Sequence, residues 1–92
     1  MTQTEKRIIS GLETILKMRH DKDFMKHGLV GLNNDQKEAF SDIFAAGFMF
    51  ASVQAFGKIK PSTYGELINE TRIPIDERLK VLIAYMKSKA DK

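Results

Sequence analysis

The sequence predicts an all-α domain: a compact bundle of about four helices, over 3–20, 35–57, 63–70 and 74–90, around a central apolar helix at 35–57. Three observations predict it. Apolar residues recur three and four positions apart near both ends of the chain, the spacing that lines one side of a helix. Capping chemistry, a hydroxyl three positions ahead of a carboxylate, stands at Thr2 with Glu5 and again at Thr63 with Glu66. Finally, 43–57, IFAAGFMFASVQAFG, is a fifteen-residue run without charge, holding four phenylalanines and six alanines or glycines between Asp42 and Lys58. The one strand-like stretch, LKVLI at 79–83, is outweighed by its helical flanks.

The first helix opens on the Thr2–Glu5 pair, in which the hydroxyl accepts from the backbone and the carboxylate reaches back. Ile8, Leu12, Ile15 and Leu16 then face the core, with Ile9 and Met18 at the margins. Gly11 inside it costs about 1 kcal/mol relative to alanine and marks close approach by another helix. Residues 21–34, DKDFMKHGLVGLNN, read as a helical turn followed by a loop held on the core by Phe24, Met25, Leu29, Val30 and Leu32.

Asn34 is the expected N-cap of the second helix, with Asp35 and Glu38 where the helix dipole favours acids. Gly57 is its expected stop. On a wheel of about 100° per residue, Phe40, Phe44, Gly47, Phe48, Ala51 and Ala55 share one side, and Ala46, Met49, Val53 and Phe56 the other. Such an all-round apolar helix is the signature of a buried central element. After the Lys58–Pro61 connector comes a short helix over 63–70 and a turn over 71–73. Pro74 suits the first position of the last helix, because its missing N–H has no partner to lose there. Leu79, Leu82, Ile83 and Met86 point that helix at the core, and Lys87 and Lys89 sit in its last turn.

Ninety-two residues make one domain, 1–92. The absence of cysteine excludes disulfides and thiolate metal sites and fits a reducing, cytoplasmic setting. The N-terminus is polar and lacks the apolar core of a signal peptide. A membrane span needs about 20 apolar residues, and the uncharged run has fifteen, so no membrane role is expected. The formal charge of +3 is unevenly distributed: 35–57 carries Lys37 against three acids, whereas 58–92 carries eight bases and five acids.

Signatures of catalysis are missing. No glycine-rich phosphate loop is present, and no serine stands beside a base. His20, Asp21, Asp23 and His27 are metal-ligand residue types, and the His20-Asp21 pair is similar to one in metal-dependent phosphohydrolases. Two histidines are too few for such a centre, and solvated residues after a helix end account for the cluster. No metal, cofactor or small-molecule substrate is expected.

Two binding functions are legible. If three short helices do not enclose the helix at 35–57, the stripe of Phe40, Phe44, Gly47, Phe48, Ala51 and Ala55 becomes an interface, most simply between copies of the chain or with another protein. The second lies in 63–86, TYGELINETRIPIDERLKVLIAYM, where a short helix, a turn and a longer basic helix resemble a helix-turn-helix. The resemblance implies DNA binding over 63–87, with Arg72, Arg78, Lys80 and Lys87 as contacts to phosphates or a guanine edge. It departs from the motif where Thr71 or Arg72 replaces the usual turn glycine and Ile68 stands at the helix crossing. The expected function is a small non-enzymatic binding or regulatory protein acting by protein contact, homo-oligomeric through the helix at 35–57, the alternative being a small DNA-binding protein that uses 63–87.

Overall fold

The computed structural model describes residues 1–21, 31–60, 62, 65 and 72–90. Among them the chain forms three helices and no strand: α1 (Gln3–His20), α2 (Asn34–Phe56) and α3 (Ile75–Ala90). Among the described residues the fold is all-helical, with three of the four expected helices present. The short helix expected over 63–70 lies almost wholly outside the described residues, as does the helical turn expected after residue 21.

α1 begins at Thr2, whose Oγ1 accepts from the Glu5 amide at 3.1 Å. Only this half of the expected reciprocal pair governs the cap, because the Glu5 carboxylate is drawn to Lys58, whose Nζ donates to Oε1 at 2.9 Å. α2 starts one residue earlier than expected. Asn33 is the N-cap: its Oδ1 accepts from the Gln36 amide at 2.9 Å, and its own amide donates to Gln36 Oε1 at 3.0 Å. The glutamine three positions on completes the reciprocal pair, so Asn33 outcompetes Asn34. α2 ends where Gly57 turns to a φ of 73°, a left-handed conformation that glycine adopts without a Cβ clash. Pro74 stands just ahead of α3, where its carbonyl accepts from the amides of Glu77 and Arg78.

The core draws on all three helices. α1 gives Ile9, Leu12 and Ile15; α2 gives Ala45, Met49, Val53 and Phe56; α3 gives Ile75, Leu79, Leu82, Ile83, Met86 and Ala90. α1 packs extensively on both partners, whereas α2 and α3 touch each other far less. The central helix is therefore α1, and the expectation that α2 occupies the centre is corrected. The molecule measures 43 × 27 × 17 Å. With a helix and its side chains about 10–12 Å across, the short dimension holds two interlocked helical layers. Among the described residues no third layer covers the outer side of α2.

One polar device joins the helices. Arg19, in the last turn of α1, donates through Nε to Asp76 on α3 at 2.6 Å, through Nη1 to Ser41 at 2.7 Å and through Nη2 to Asp42 at 2.6 Å, both on α2. Burial works against its charge, and the hydrogen bonds to Asp76 and Asp42 outweigh it, so the guanidinium is held above its ordinary pKa.

Candidate functional site

The apolar pattern of α2 divides into two faces. Ala45, Met49, Ser52, Val53 and Phe56 are buried against α1 and α3. Across the helix, Phe40, Ile43, Phe44, Gly47, Phe50, Ala51, Gln54 and Ala55 are exposed. At about 100° per residue these eight fill roughly 140° of the helix surface; Gln54 is the one polar side chain among them, and Gln36 and Lys37 extend the same arc into the first turn. The large residues among them are far from buried: Ile43 is 71% exposed, Phe40 and Phe44 50%, and Phe50 49%. A core-facing stripe would be buried; this one is apolar and wet.

Of the six residues singled out from the wheel, Phe40, Phe44, Gly47, Ala51 and Ala55 are exposed, and Phe48 is half-buried. Phe48 sits at the edge where α2 meets α1. A Cβ placed on Gly11 would come within 3.1 Å of its ring, so the glycine in α1 makes room for the aromatic edge. Phe44 and Phe48 follow one another along the helix, ring centroids 6.4 Å apart. Beside Phe48 runs a shallow groove between the helices, lined by Thr4, Arg7, Ile8, Ala51, Ser52 and Ala55. Nothing lies within 4 Å of a Cβ built on Gly47, so open space stands over the middle of the face. Sequence reasoning missed Ile43 and Phe50. They lie on the far margin of the same arc, and the signal was their own wheel positions, about 60–80° from the Phe40–Gly47–Ala51 line.

The candidate nucleic-acid contacts are arranged differently. Arg72 is exposed in the turn before α3. Arg78 donates through Nε to the Ile73 carbonyl at 3.0 Å. Lys80 pairs with Glu77 and Lys87 with Glu13 of α1, each at 3.3 Å. The ridge of α3 directly opposite its buried side is Glu77, Val81, Ala84 and Ser88, all exposed and without a cation among them. The cations lie on the flanks. Tyr85 is half-buried, with Lys89 Nζ 5.4 Å from its ring centre. Thr63, Glu66, Ile68 and Thr71 lie outside the described residues.

His20, the last residue of α1, and Asp21 just after it are exposed, and Asp23 and His27 lie outside the described residues. Among the described residues no group of three His, Asp or Glu side chains is placed to hold a metal ion. One charged group is conspicuous elsewhere. Glu5 is 6% exposed, and its Oε2 is buried without a hydrogen-bond partner while Oε1 accepts from Lys58. The Lys58 hydrogen bond holds its carboxyl below the ordinary value, against the upward push of burial.

By length and composition α2 is long and apolar enough to cross a membrane: 23 residues, with a best-window mean hydropathy of 1.4. The fifteen uncharged residues gain two polar turns at the N-terminal end, which the length argument from sequence left out. Comparison with protein-family models, curated proteins and solved structures returns no match for the chain.

Proposed function

We propose that this chain is a small non-enzymatic regulatory or adaptor protein of the cytoplasm that acts by protein–protein contact, and that it self-associates through the outer face of α2. The observation that carries this reading is the contiguous exposed arc of Phe40, Ile43, Phe44, Gly47, Phe50 and Ala51. Each aromatic side chain presents about 150–250 Å² in full, and three of them are half exposed. With Ile43 and the small residues between, the face offers on the order of 500 Å² of apolar surface. That is the scale of the largest patches on ordinary monomers, which are often functional. It also approaches the roughly 800 Å² per partner of a stable interface.

A lipid partner would use the same apolar surface, but two features favour protein. The opposite face of α2 supplies four core side chains and is tied to Arg19 through Ser41 and Asp42. A transmembrane position would remove both. DNA binding through α3 has less support, because its outward ridge carries no cation and the candidate contacts on its flanks and in the turn before it already have partners.

The experiment is mass in solution, with flotation on anionic vesicles and salt-dependent DNA binding as parallel arms. Self-association predicts a species of at least twice the 10.5 kDa chain. It also predicts that Ala51→Glu yields a folded monomer, since Ala51 is exposed. Vesicle flotation of a monomeric chain would replace the reading with a lipid one. Duplex affinity that falls steeply with salt would restore the DNA reading.

A further inference from the structure

We infer that the groove between α1 and α2 docks an acidic amphipathic helix of another protein. This rests on the reading of the chain as one that acts by protein contact, and not on its self-association.

The pairing of the two helices sets the groove. Arg19 at the end of α1 meets Ser41 and Asp42 near the start of α2, and Glu5 at the start of α1 meets Lys58 just past the end of α2, so the helices run antiparallel. Two depressions of about 570 and 330 Å³ open along the outer side of this seam, and Arg7 and Phe48 line both. One extends past Gly11 to Thr14 and Ile15. The other extends to Thr4 and Ile8 on α1 and to Ala51 and Ala55 on α2. Together they follow α1 from Thr4 to Ile15, about 16 Å at 1.5 Å per residue, or three helical turns. A groove of this length between two helices takes a third helix, whose apolar side chains three and four positions apart enter it.

Charge fixes the composition of that helix. The α2 wall lies within the uncharged run 43–57 and offers nothing to a charged group. The α1 wall carries Arg7 with Lys6 on its rim, and no acid lines either depression. Lys17 stands about three turns beyond Lys6 on the same side of α1. All three cations are exposed. Among the described residues none of the three has an ion-pair partner, whereas Arg19, Lys58, Lys80 and Lys87 are each held by an acid. A basic partner would be repelled, and a neutral one would leave Arg7 unpaired as the contact expels water. A partner with an apolar stripe and acids along one flank, the flank turned to α1, satisfies both walls.

Other polyanions match only part of this surface. Duplex DNA would meet the cations through its phosphates and leave the apolar floor wet. An anionic bilayer takes up an apolar face presented to it, whereas Ile8 and Phe48 are half-buried and share their depressions with exposed Gln3, Thr4, Ser10 and Thr14.

The test is a displayed library of helical peptides about 15 residues long. Each has a fixed leucine stripe, and the flanks are randomised among Glu, Lys, Gln and Ser. Selection on the wild-type chain is expected to enrich glutamate along one flank. The best peptide, synthesised and labelled, should bind ~10-fold more weakly to Arg7→Glu and to Lys6→Glu, and no more weakly to Lys80→Glu, which changes the net charge equally at a distance from the groove. Arg7 and Lys6 are exposed and unpaired, so both variants should keep the wild-type helicity. The same peptides should also bind Ile43→Glu, which alters the exposed arc of α2 away from the groove and so separates this site from self-association. Flanks enriched in lysine or without charge bias, failure to recover any binder, or equal binding to Arg7→Glu would overturn the inference. Peptides that bind the wild type and not Ile43→Glu would place the contact on the outer arc and overturn it too. Flotation on anionic vesicles or duplex binding that requires Lys6 and Arg7, with no peptide selected, would assign the surface to lipid or nucleic acid instead.

Discussion

Arg19 is where the three helices converge, and its neighbours explain why one side chain can bind them. The guanidinium presents donors in a planar fork, and Asp76, Ser41 and Asp42 occupy three of them. A lysine offers a point charge on a flexible stem and cannot span all three. Arg19→Ala is expected to cost about 2 kcal/mol in a denaturant titration, discounted from the buried-pair range because Asp42 is half exposed. Arg19→Lys should recover only part of that. Gly57→Ala forces a Cβ into the left-handed region at φ 73° and should cost about 1 kcal/mol. Glu5 gives the fold an acid-sensitive contact. Because its folded pKa is lowered from 4.5, its contribution is complete above that value and is lost as pH falls through the folded pKa. Wild-type melting temperature should therefore drop on acidification below about 4.5, and Glu5→Gln should reduce the size of that drop. None of these partnerships was legible in the sequence. Arg19 and Asp76 lie 57 positions apart, and the carboxylate at position 5 looked like half of a local cap because its distant partner, Lys58, leaves no trace in local spacing.

At the scale of the element, α2 shows what periodicity can and cannot tell. Its wheel separates Met49, Val53 and Phe56 from Phe44, Gly47 and Ala51 correctly, since they do lie on opposite sides. What the wheel lacks is which side is covered, because both are apolar and neither carries a charge to mark solvent. Single substitutions distinguish the faces. Met49→Ala, at a fully buried position, should destabilise the chain by about 2–5 kcal/mol. Phe44→Ala should leave the unfolding midpoint of the monomer nearly unchanged and shift the self-association equilibrium instead. A Phe44→Ala loss as large as that of Met49→Ala would mean the outer face is core. The boundaries of α1 and α3 were easier to read, because Thr2 and Pro74 carry specific capping or backbone chemistry. α2 began a residue early because Gln36, an amide rather than an acid, completed the cap.

At the scale of the molecule, the decisive quantity is thickness. In a body 17 Å deep no described element lies over the outer face of α2, so among the described residues the most apolar helix is on the outside and a shorter, more polar one, α1, takes the centre. The all-α class was legible from spacing and caps alone; the layering was not, since no local pattern records how many neighbours a helix will have. The candidate surface follows from that layering: an exposed aromatic face that no described element encloses. The most direct test is the solution mass of the wild type beside Ala51→Glu, with helicity followed in both. The account predicts a wild-type species of twice the 10.5 kDa chain mass or more and a folded, single-chain variant. A wild type that stays monomeric, or an Ala51→Glu chain that loses its helical signal, would contradict it.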